Sequence, residues 1–223
     1  MKSTIYVLCL IFLSLTSCSK EKVEADRVDS ILNLLKSSNI AKLDGSIYNI
    51  VLDTLINGNT VNLPSGTIEC EVATLNNDDL KKLQKLVSEV DNVTIKTFDD
   101  KIKKWINLWN NGKTSWYSDP AHILLVDSKE YQEYITFCVG KGKAIFPLIF
   151  ELLSRTDKCT HFYFLSYPLV ADILPKMPEY QKYMNQARES YLADYEISGN
   201  KAGKDHYNEI LFRFMHNVLN SEF

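Results

Sequence analysis

The chain has 223 residues and a formal net charge of −3 at pH 7, and 45% of its residues are hydrophobic against 24% charged. This composition excludes a disordered chain, and the mildly acidic balance gives no reason to expect a nucleic-acid partner, which needs concentrated Lys and Arg. The length is enough for a single globular domain with its own core.

The N-terminal segment has the features of a secretory signal peptide. Lys2 supplies a positive charge, and a mostly apolar run follows over residues 5–15. This run is far below the ~20 residues that cross a bilayer as a helix. A short apolar run with small residues at its exit predicts export and removal of the segment.

The exit of that segment reads Leu15-Thr16-Ser17-Cys18. It resembles the lipobox of bacterial lipoproteins, in which a leucine stands three residues before the cysteine that carries the lipid. The resemblance implies a signal peptide over residues 1–17, a diacylglyceryl thioether on Cys18 and an acyl chain such as palmitate on the new amino terminus. Several acyl chains give the stable membrane anchoring that a single chain does not.

The residue after that cysteine is Ser19 rather than Asp. By similarity with enterobacterial lipoproteins, this implies the outer membrane, with the domain facing either the periplasm or the cell surface. Residues 18–27 are mostly polar or charged and are expected to form a solvated tether. Residues 28–223 are expected to form a single globular domain.

We predict an α+β fold that is mainly α, a helical domain with a small antiparallel β element in its N-terminal half. The β-containing part is expected at about 44–98, and the helical part at about 99–223. Residues 67–72 alternate between apolar and polar side chains, as a half-buried strand does, and Asn57-Gly58-Asn59 is a turn signal. Residues 93–98 are expected to add a short strand.

Outside the β-containing part, apolar residues recur at helical spacing. The first such stripe is Val28, Ile31, Leu32 and Leu35. The predicted helices cover 27–36, a stretch after the caps at 76–78, about 99–109, 128–140, about 143–154, a tyrosine-rich stretch opened by Pro178, and a last helix from Asp205.

The helices predicted over 128–154 carry a second resemblance. Tyr131, Ile135 and Gly140 are followed by an apolar helix with an early proline, Pro147. This order is similar to the paired helices of HEAT-like proteins and implies two helices packed side by side. Such pairs need stacked neighbours to bury a continuous core, and one pair alone is visible in the sequence.

Three cysteines remain after the signal peptide and the lipidated residue are set aside: Cys70, Cys138 and Cys159. An odd number leaves at least one of them unpaired within the chain. Their spacing matches no zinc motif, so we expect no metal site, and we expect no fold that depends on disulfides.

No strong catalytic motif is present, and no cofactor is expected. Cys159 and His161 are two residues apart, but a thiolate nucleophile needs an activating base and a third group that orients it. We interpret this pair as a buried thiol near a surface histidine. Glycoside cleavage requires two carboxylates at a set separation, and four acids are candidates for that role: Asp99, Asp100, Asp119 and Glu151.

The best candidates for a binding site lie between two predicted helices: Trp116, Tyr117, Asp119 and His122. Aromatic side chains are typical anchors of interfaces. His122 near Asp119 has the composition of a general base or metal ligand, but a loop histidine near an acid is more often a solvated pair. Trp105 and Trp109 lie on an apolar helical stripe and are expected in the core.

These observations favour a lipid-anchored cell-envelope protein that binds a partner protein or ligand near the membrane and is not an enzyme. One alternative is an immunity lipoprotein that neutralises an envelope-acting toxin. A second is an envelope hydrolase that acts on glycan or peptide, and a third is a subunit of an outer-membrane complex.

Overall fold

Helices make up nearly all of the chain that the structure describes. The computed structural model describes residues 26–38, 40, 73–110, 127–197 and 206–223. The helices are α1 (26–37), α2 (Asn77–Glu89), α3 (Asn92–Leu108), α4 (Lys129–Lys141), α5 (Phe146–Ser154), α6 (Cys159–Pro168), α7 (Gln181–Ile197) and α8 (His206–Glu222). Shorter turns join them: 3-10 turns at Gly142–Ile145, Leu174–Lys176 and Pro178–Tyr180, and a π turn at Leu169–Ile173.

The predicted α+β class is wrong, because 88% of the described residues are helical and none of them lies in a strand. The short strand expected at 93–98 is part of α3. The hairpin expected between 44 and 72 lies outside the described residues. The fold is therefore mainly helical in the part of the chain that the structure describes.

Burial at helical spacing explains why residues 93–98 are helical. Thr94, Phe98 and Ile102 lie four residues apart, and all three are buried. The carboxylate of Asp91 caps the helix by accepting the backbone N–H of Thr94 at 2.8 Å. This cap and the buried face outweigh the strand preference of the β-branched residues in this stretch.

Several predicted helices are confirmed by their buried stripes. In α1 the four stripe residues are all buried, and α2 begins after Asn76, whose side chain accepts the backbone N–H groups of Asp78 and Asp79. The described tyrosines of the 180–191 stretch, Tyr180, Tyr183 and Tyr191, are buried as well. These elements could be predicted because the periodicity of burial is local in sequence.

The two helices of the HEAT-like resemblance form at the expected positions, but they do not pack mainly on each other. Among the described elements, α4 packs mainly on α3, and α5 packs mainly on α2. A 3-10 turn separates α4 from α5, and it begins at Gly142, whose φ of 57° suits a residue without a side chain. Pro147 lies in the first turn of α5, where a missing N–H costs no hydrogen bond.

Stacked aromatic rings join the α3 and α4 layer to α6. The indole of Trp105 stacks on Phe164 of α6 with ring centroids 4.2 Å apart, and it packs against Tyr131 and Tyr134 of α4. A second group of rings, around Phe214 of α8, joins α8 to α5. Trp105 and Trp109 are 0% and 1% exposed, so their predicted place in the core is confirmed.

Helix α6 ends at a proline, and the turn that follows it makes a polar contact with α4. Pro168 is the last residue of α6, and the π turn that follows it carries Asp172. The hydroxyl of buried Tyr131 donates a hydrogen bond to Asp172 Oδ2 at 2.5 Å. Burial and this carboxylate raise the pKa of Tyr131, so the phenol stays a neutral donor.

The cysteines divide into two chemical states. Cys138 is a free, buried thiol, which agrees with the expectation that at least one cysteine is unpaired. Burial raises its pKa, so the thiol is unreactive. Cys159 is disulfide-bonded, which the sequence reasoning did not foresee, and its partner lies outside the described residues.

Candidate functional site

The binding site predicted from the sequence falls outside the described residues, as does the lipidation residue Cys18. Its members therefore remain predictions: Trp116, Tyr117, Asp119 and His122. Residues 110 and 127 bracket this stretch at the end of α3 and the start of α4. The described residues contain two polar clusters, a surface of lysines and a groove, which are the other candidates for a site.

An ion-pair cluster is centred on Arg27, near the start of α1 and nine residues after the predicted lipid-bearing cysteine. Its Nη1 donates to Asp99 Oδ1 of α3 at 2.7 Å, and its Nη2 donates to Glu151 Oε2 of α5. The three side chains are 11%, 10% and 16% exposed, so the cluster is largely desolvated. One arginine thus holds α1, α3 and α5 together.

The electrostatics of this cluster are those of a structural clamp. Burial raises the pKa of Asp99, and the positive charges of Arg27 and Lys103 oppose that rise without reversing it. The structure does bring together two of the acids considered for glycoside cleavage, Asp99 and Glu151, but the guanidinium lies between them. A glycosidase needs the space between its two carboxyl groups for substrate and water. This pair therefore does not suit that chemistry.

Three lysines on the outward side of α3 form a surface that we call the α3 lysine face: Lys96, Lys103 and Lys104. Lys96 and Lys104 are exposed, and Lys103 is half-buried. Within the described part of the chain, none of the three forms an ion pair, in contrast to Lys101, which pairs with Glu133 of α4 at 3.3 Å. Lys103 and Lys104 still act at longer range on the carboxyls of Asp99 and Glu133, whose pKa values they help to lower.

A shallow groove lies between α3 and α4, beside that face. Its lining residues are Lys101, Lys129, Gln132, Glu133, Thr136 and Phe137. Both lysines of the groove pair with Glu133, and the hydrogen bond from Lys101 is the main cause of the lowered pKa of that carboxyl. Because the charges in the groove are already satisfied, it offers no reactive group.

A second polar cluster connects α2 to α8. Asp79 is 3% exposed, and its carboxylate meets His216 Nδ1 at 2.7 Å and accepts from Asn220 Nδ2 at 2.9 Å. The side chain of His216 is 51% exposed. A buried carboxylate that orients an exposed imidazole is also found where histidine acts as a base or as a metal ligand.

A catalytic histidine would use its second ring nitrogen, here Nε2 of His216, to activate a nucleophile. Among the described residues, no hydroxyl or thiol is hydrogen-bonded to His216, so the nucleophile of a Ser–His or Cys–His pair is absent from this part of the chain. The residues that reasoning from sequence missed here are Asp79 and His216, which lie 137 positions apart. No local signal in the sequence could have paired them.

The interpretation of Cys159 and His161 is corrected in part. Cys159 is buried as expected, but it is disulfide-bonded rather than a free thiol. His161 is 2% exposed and therefore not a surface residue. Burial, aided by the positive charge of Lys158, lowers the pKa of His161 to about 4, so the imidazole is neutral at pH 7.

Among the described residues, no three side chains of His, Cys, Asp or Glu come close enough together to hold a metal ion. None of the helices in the described ranges combines the length and the apolar character that a membrane span requires.

The contacts described above define a helical domain in which Arg27 of α1 meets Asp99 of α3, with no complete catalytic arrangement among the described side chains. Comparison with known proteins adds no family to this picture. No family model, no curated protein and no solved structure matches the chain.

Proposed function

We propose that the chain is a lipid-anchored cell-envelope protein that binds a partner protein or ligand close to the membrane and performs no catalysis. The observation that carries the proposal is the sequence Leu15-Thr16-Ser17-Cys18, followed only nine residues later by Arg27. An extended tether of that length reaches at most ~30 Å. The partner is therefore expected in the membrane, on it, or in a complex beside it.

Two contacts of the domain support this placement. The buried ion pairs of Arg27 fix the point where the tether meets the domain, so the anchor restrains the whole domain rather than a loose arm. The disulfide at Cys159 suits a protein that folds outside the cytoplasm, because disulfides form and persist in oxidising compartments. Both features agree with a chain that is exported and then cleaved before Cys18.

A pull-down with the native lipidated chain tests the proposal. The protein is extracted from its membranes in mild detergent, and the captured proteins are compared with those bound by a Trp116→Ala/Tyr117→Ala variant and by a Lys81→Gln variant. The aromatic variant is expected to lose the partner. The control should keep it, since Lys81 is 77% exposed on α2, far along the chain from the predicted site.

Lipidation itself is checked by the mass of the mature N-terminal peptide, which begins with Cys18. An unmodified Cys18 in the mature protein would contradict the anchor. A partner captured equally well by the aromatic variant would leave the anchor standing and would remove Trp116 and Tyr117 from the binding site.

A further inference from the structure

We propose that the α3 lysine face docks on anionic lipid headgroups of the membrane that carries the acyl chains. The inference rests on the proposed lipid anchor and adds to it an orientation, with α3 towards the bilayer. The ligand chemistry is a surface of phosphate-bearing headgroups, and the groups that meet it are the ammonium ions of Lys96, Lys103 and Lys104.

These lysines lie close to the point where the proposed tether would enter the domain. Arg27 is hydrogen-bonded to Asp99, so the tether reaches the domain beside the middle of α3. Lys96 lies three residues before Asp99 and Lys103 four residues after it, which places both on the same side of the helix as Asp99. At 1.5 Å per residue both are about 6 Å or less along the helix axis from this point.

Charge complementarity favours an anionic partner. Helix α3 contains four lysines and two aspartates, a net charge of +2, whereas the whole chain has a net charge of −3. One of the two aspartates, Asp99, is already paired with Arg27. The other, Asp100, is exposed on the same side and is the one acid of α3 that opposes an anionic surface. The positive charge of this helix is therefore concentrated where the tether enters.

An exposed apolar residue on the same side of α3 favours a lipid surface over bulk solvent. Val93 is 75% exposed and lies one turn before Lys96. The apolar face of α3 is buried in the core, so Val93 adds only a small apolar contact to the charged contacts that the lysines can make with headgroups. A lysine near an anionic membrane surface contributes about fivefold to binding. Three such lysines are enough to orient a domain that the anchor already holds at the membrane.

Amine footprinting of the full lipidated chain tests the inference. The protein is reconstituted in vesicles of phosphatidylcholine alone or with added phosphatidylglycerol, treated with an amine-reactive reagent and mapped by mass spectrometry. In anionic vesicles we expect labelling of Lys96, Lys103 and Lys104 to fall at least fivefold, and high salt should restore it. Lys81 and Lys85 of α2, each 77% exposed, should label equally in both vesicles.

Charge variants supply the matched control. In a Lys96→Gln/Lys104→Gln chain, Lys103 is the reporter, and docking should weaken on the order of 25-fold, so its protection should be lost. A Lys81→Gln/Lys85→Gln chain should protect Lys103 as the unmodified chain does.

The possible failures separate the inference from the anchor. Flotation of the vesicles in a density gradient reports whether the chain is anchored. If the chain floats with both kinds of vesicle but the α3 lysines are labelled equally in each, the anchor stands and the docking inference is overturned. If the chain floats with neither, both are overturned. Protection that occurs in whole envelopes but not in anionic vesicles would assign the face to an acidic protein and would overturn the lipid assignment.

Discussion

Arg27 Nη1 and Asp99 Oδ1 lie 2.7 Å apart, and the side chains that carry them are only 11% and 10% exposed. This contact joins the start of α1 to the middle of α3 across 72 positions of sequence. Together with Glu151 it joins α1, α3 and α5 near the first turn of α1. The stability of the domain therefore depends on this side chain, which is also where the proposed lipid anchor would join the domain.

The first prediction concerns the loss of that side chain. Arg27→Met should lower the free energy of unfolding by about 3 kcal/mol, because two largely buried carboxylates lose their counter-charge. Chemical denaturation of the purified protein measures the change. Asp29→Ala is the matched control on α1: its pair with Arg155 is 53% exposed on the Asp29 side and should be worth less than about 1 kcal/mol. Equal effects of the two variants would contradict the clamp.

The second prediction is the pH dependence of the Arg27→Met variant. Burial raises the pKa of Asp99 above its ordinary 3.8, and the variant removes the arginine that opposes this rise. The folded state then binds the proton more tightly than the unfolded state. The stability of the variant therefore falls as pH rises from about 4 through the raised pKa of Asp99, and it recovers as pH falls towards 4. Denaturation at several pH values should show the variant approaching the unmodified protein in acid. Asp99→Asn in the Arg27→Met background should remove this recovery.

A third prediction follows from the buried imidazole of His161. Its pKa is about 4 in the folded protein against an ordinary 6.5, so the unfolded chain takes up a proton first as pH falls. The stability present above pH 6.5 is therefore lost progressively down to about pH 4, by about 3 kcal/mol for this group. His161→Met should flatten the profile in that window, measured by denaturation from pH 7.5 to 4.5. A Lys158→Gln variant should move the window slightly upward, since Lys158 helps to lower this pKa. An unchanged slope in the methionine variant would show that other groups control the acid sensitivity.

The parts of the fold that could be predicted are those in which burial repeats within one helix. The stripe of α1 and the tyrosines of α7 were recognisable because residues three and four apart share a face. The strand expected at 93–98 failed for a related reason. Its β-branched residues have a local preference for strand, but Phe98 continues a helical buried face that reaches Ile102 and Trp105.

The polar clusters could not be predicted, because their partners are distant in sequence. Arg27 meets Glu151 across 124 positions, and Asp79 meets His216 across 137. Neither spacing corresponds to a motif, and each charged residue taken alone resembles ordinary solvated surface. Only the packing of α1 and α8 against the central helices brings these groups together, and that packing depends on the whole fold.

The fourth prediction concerns the cysteines and tests the lipid anchor independently. If Cys9 leaves with the signal peptide and Cys18 carries lipid, the mature chain retains Cys70 as the one candidate partner for Cys159, because Cys138 is free. Peptide mapping without reduction should therefore recover Cys70 linked to Cys159. Cys138 should react with an alkylating reagent only after denaturation, since it is buried with a raised pKa. A disulfide between Cys18 and Cys159 would contradict lipidation of Cys18.

The last prediction separates binding from catalysis at the α2–α8 cluster. Asp79→Ala should cost about 2–3 kcal/mol of stability, because it removes the acceptor of Asn220 and the partner of His216. His216→Ala should cost less than about 1 kcal/mol, since that side chain is half exposed. In a protein that acts by binding alone at another site, His216→Ala captures its partner as the unmodified chain does. If the same variant stays folded but loses a hydrolytic activity of the purified protein towards glycan or peptide, the oriented imidazole is a base, and the non-catalytic proposal fails.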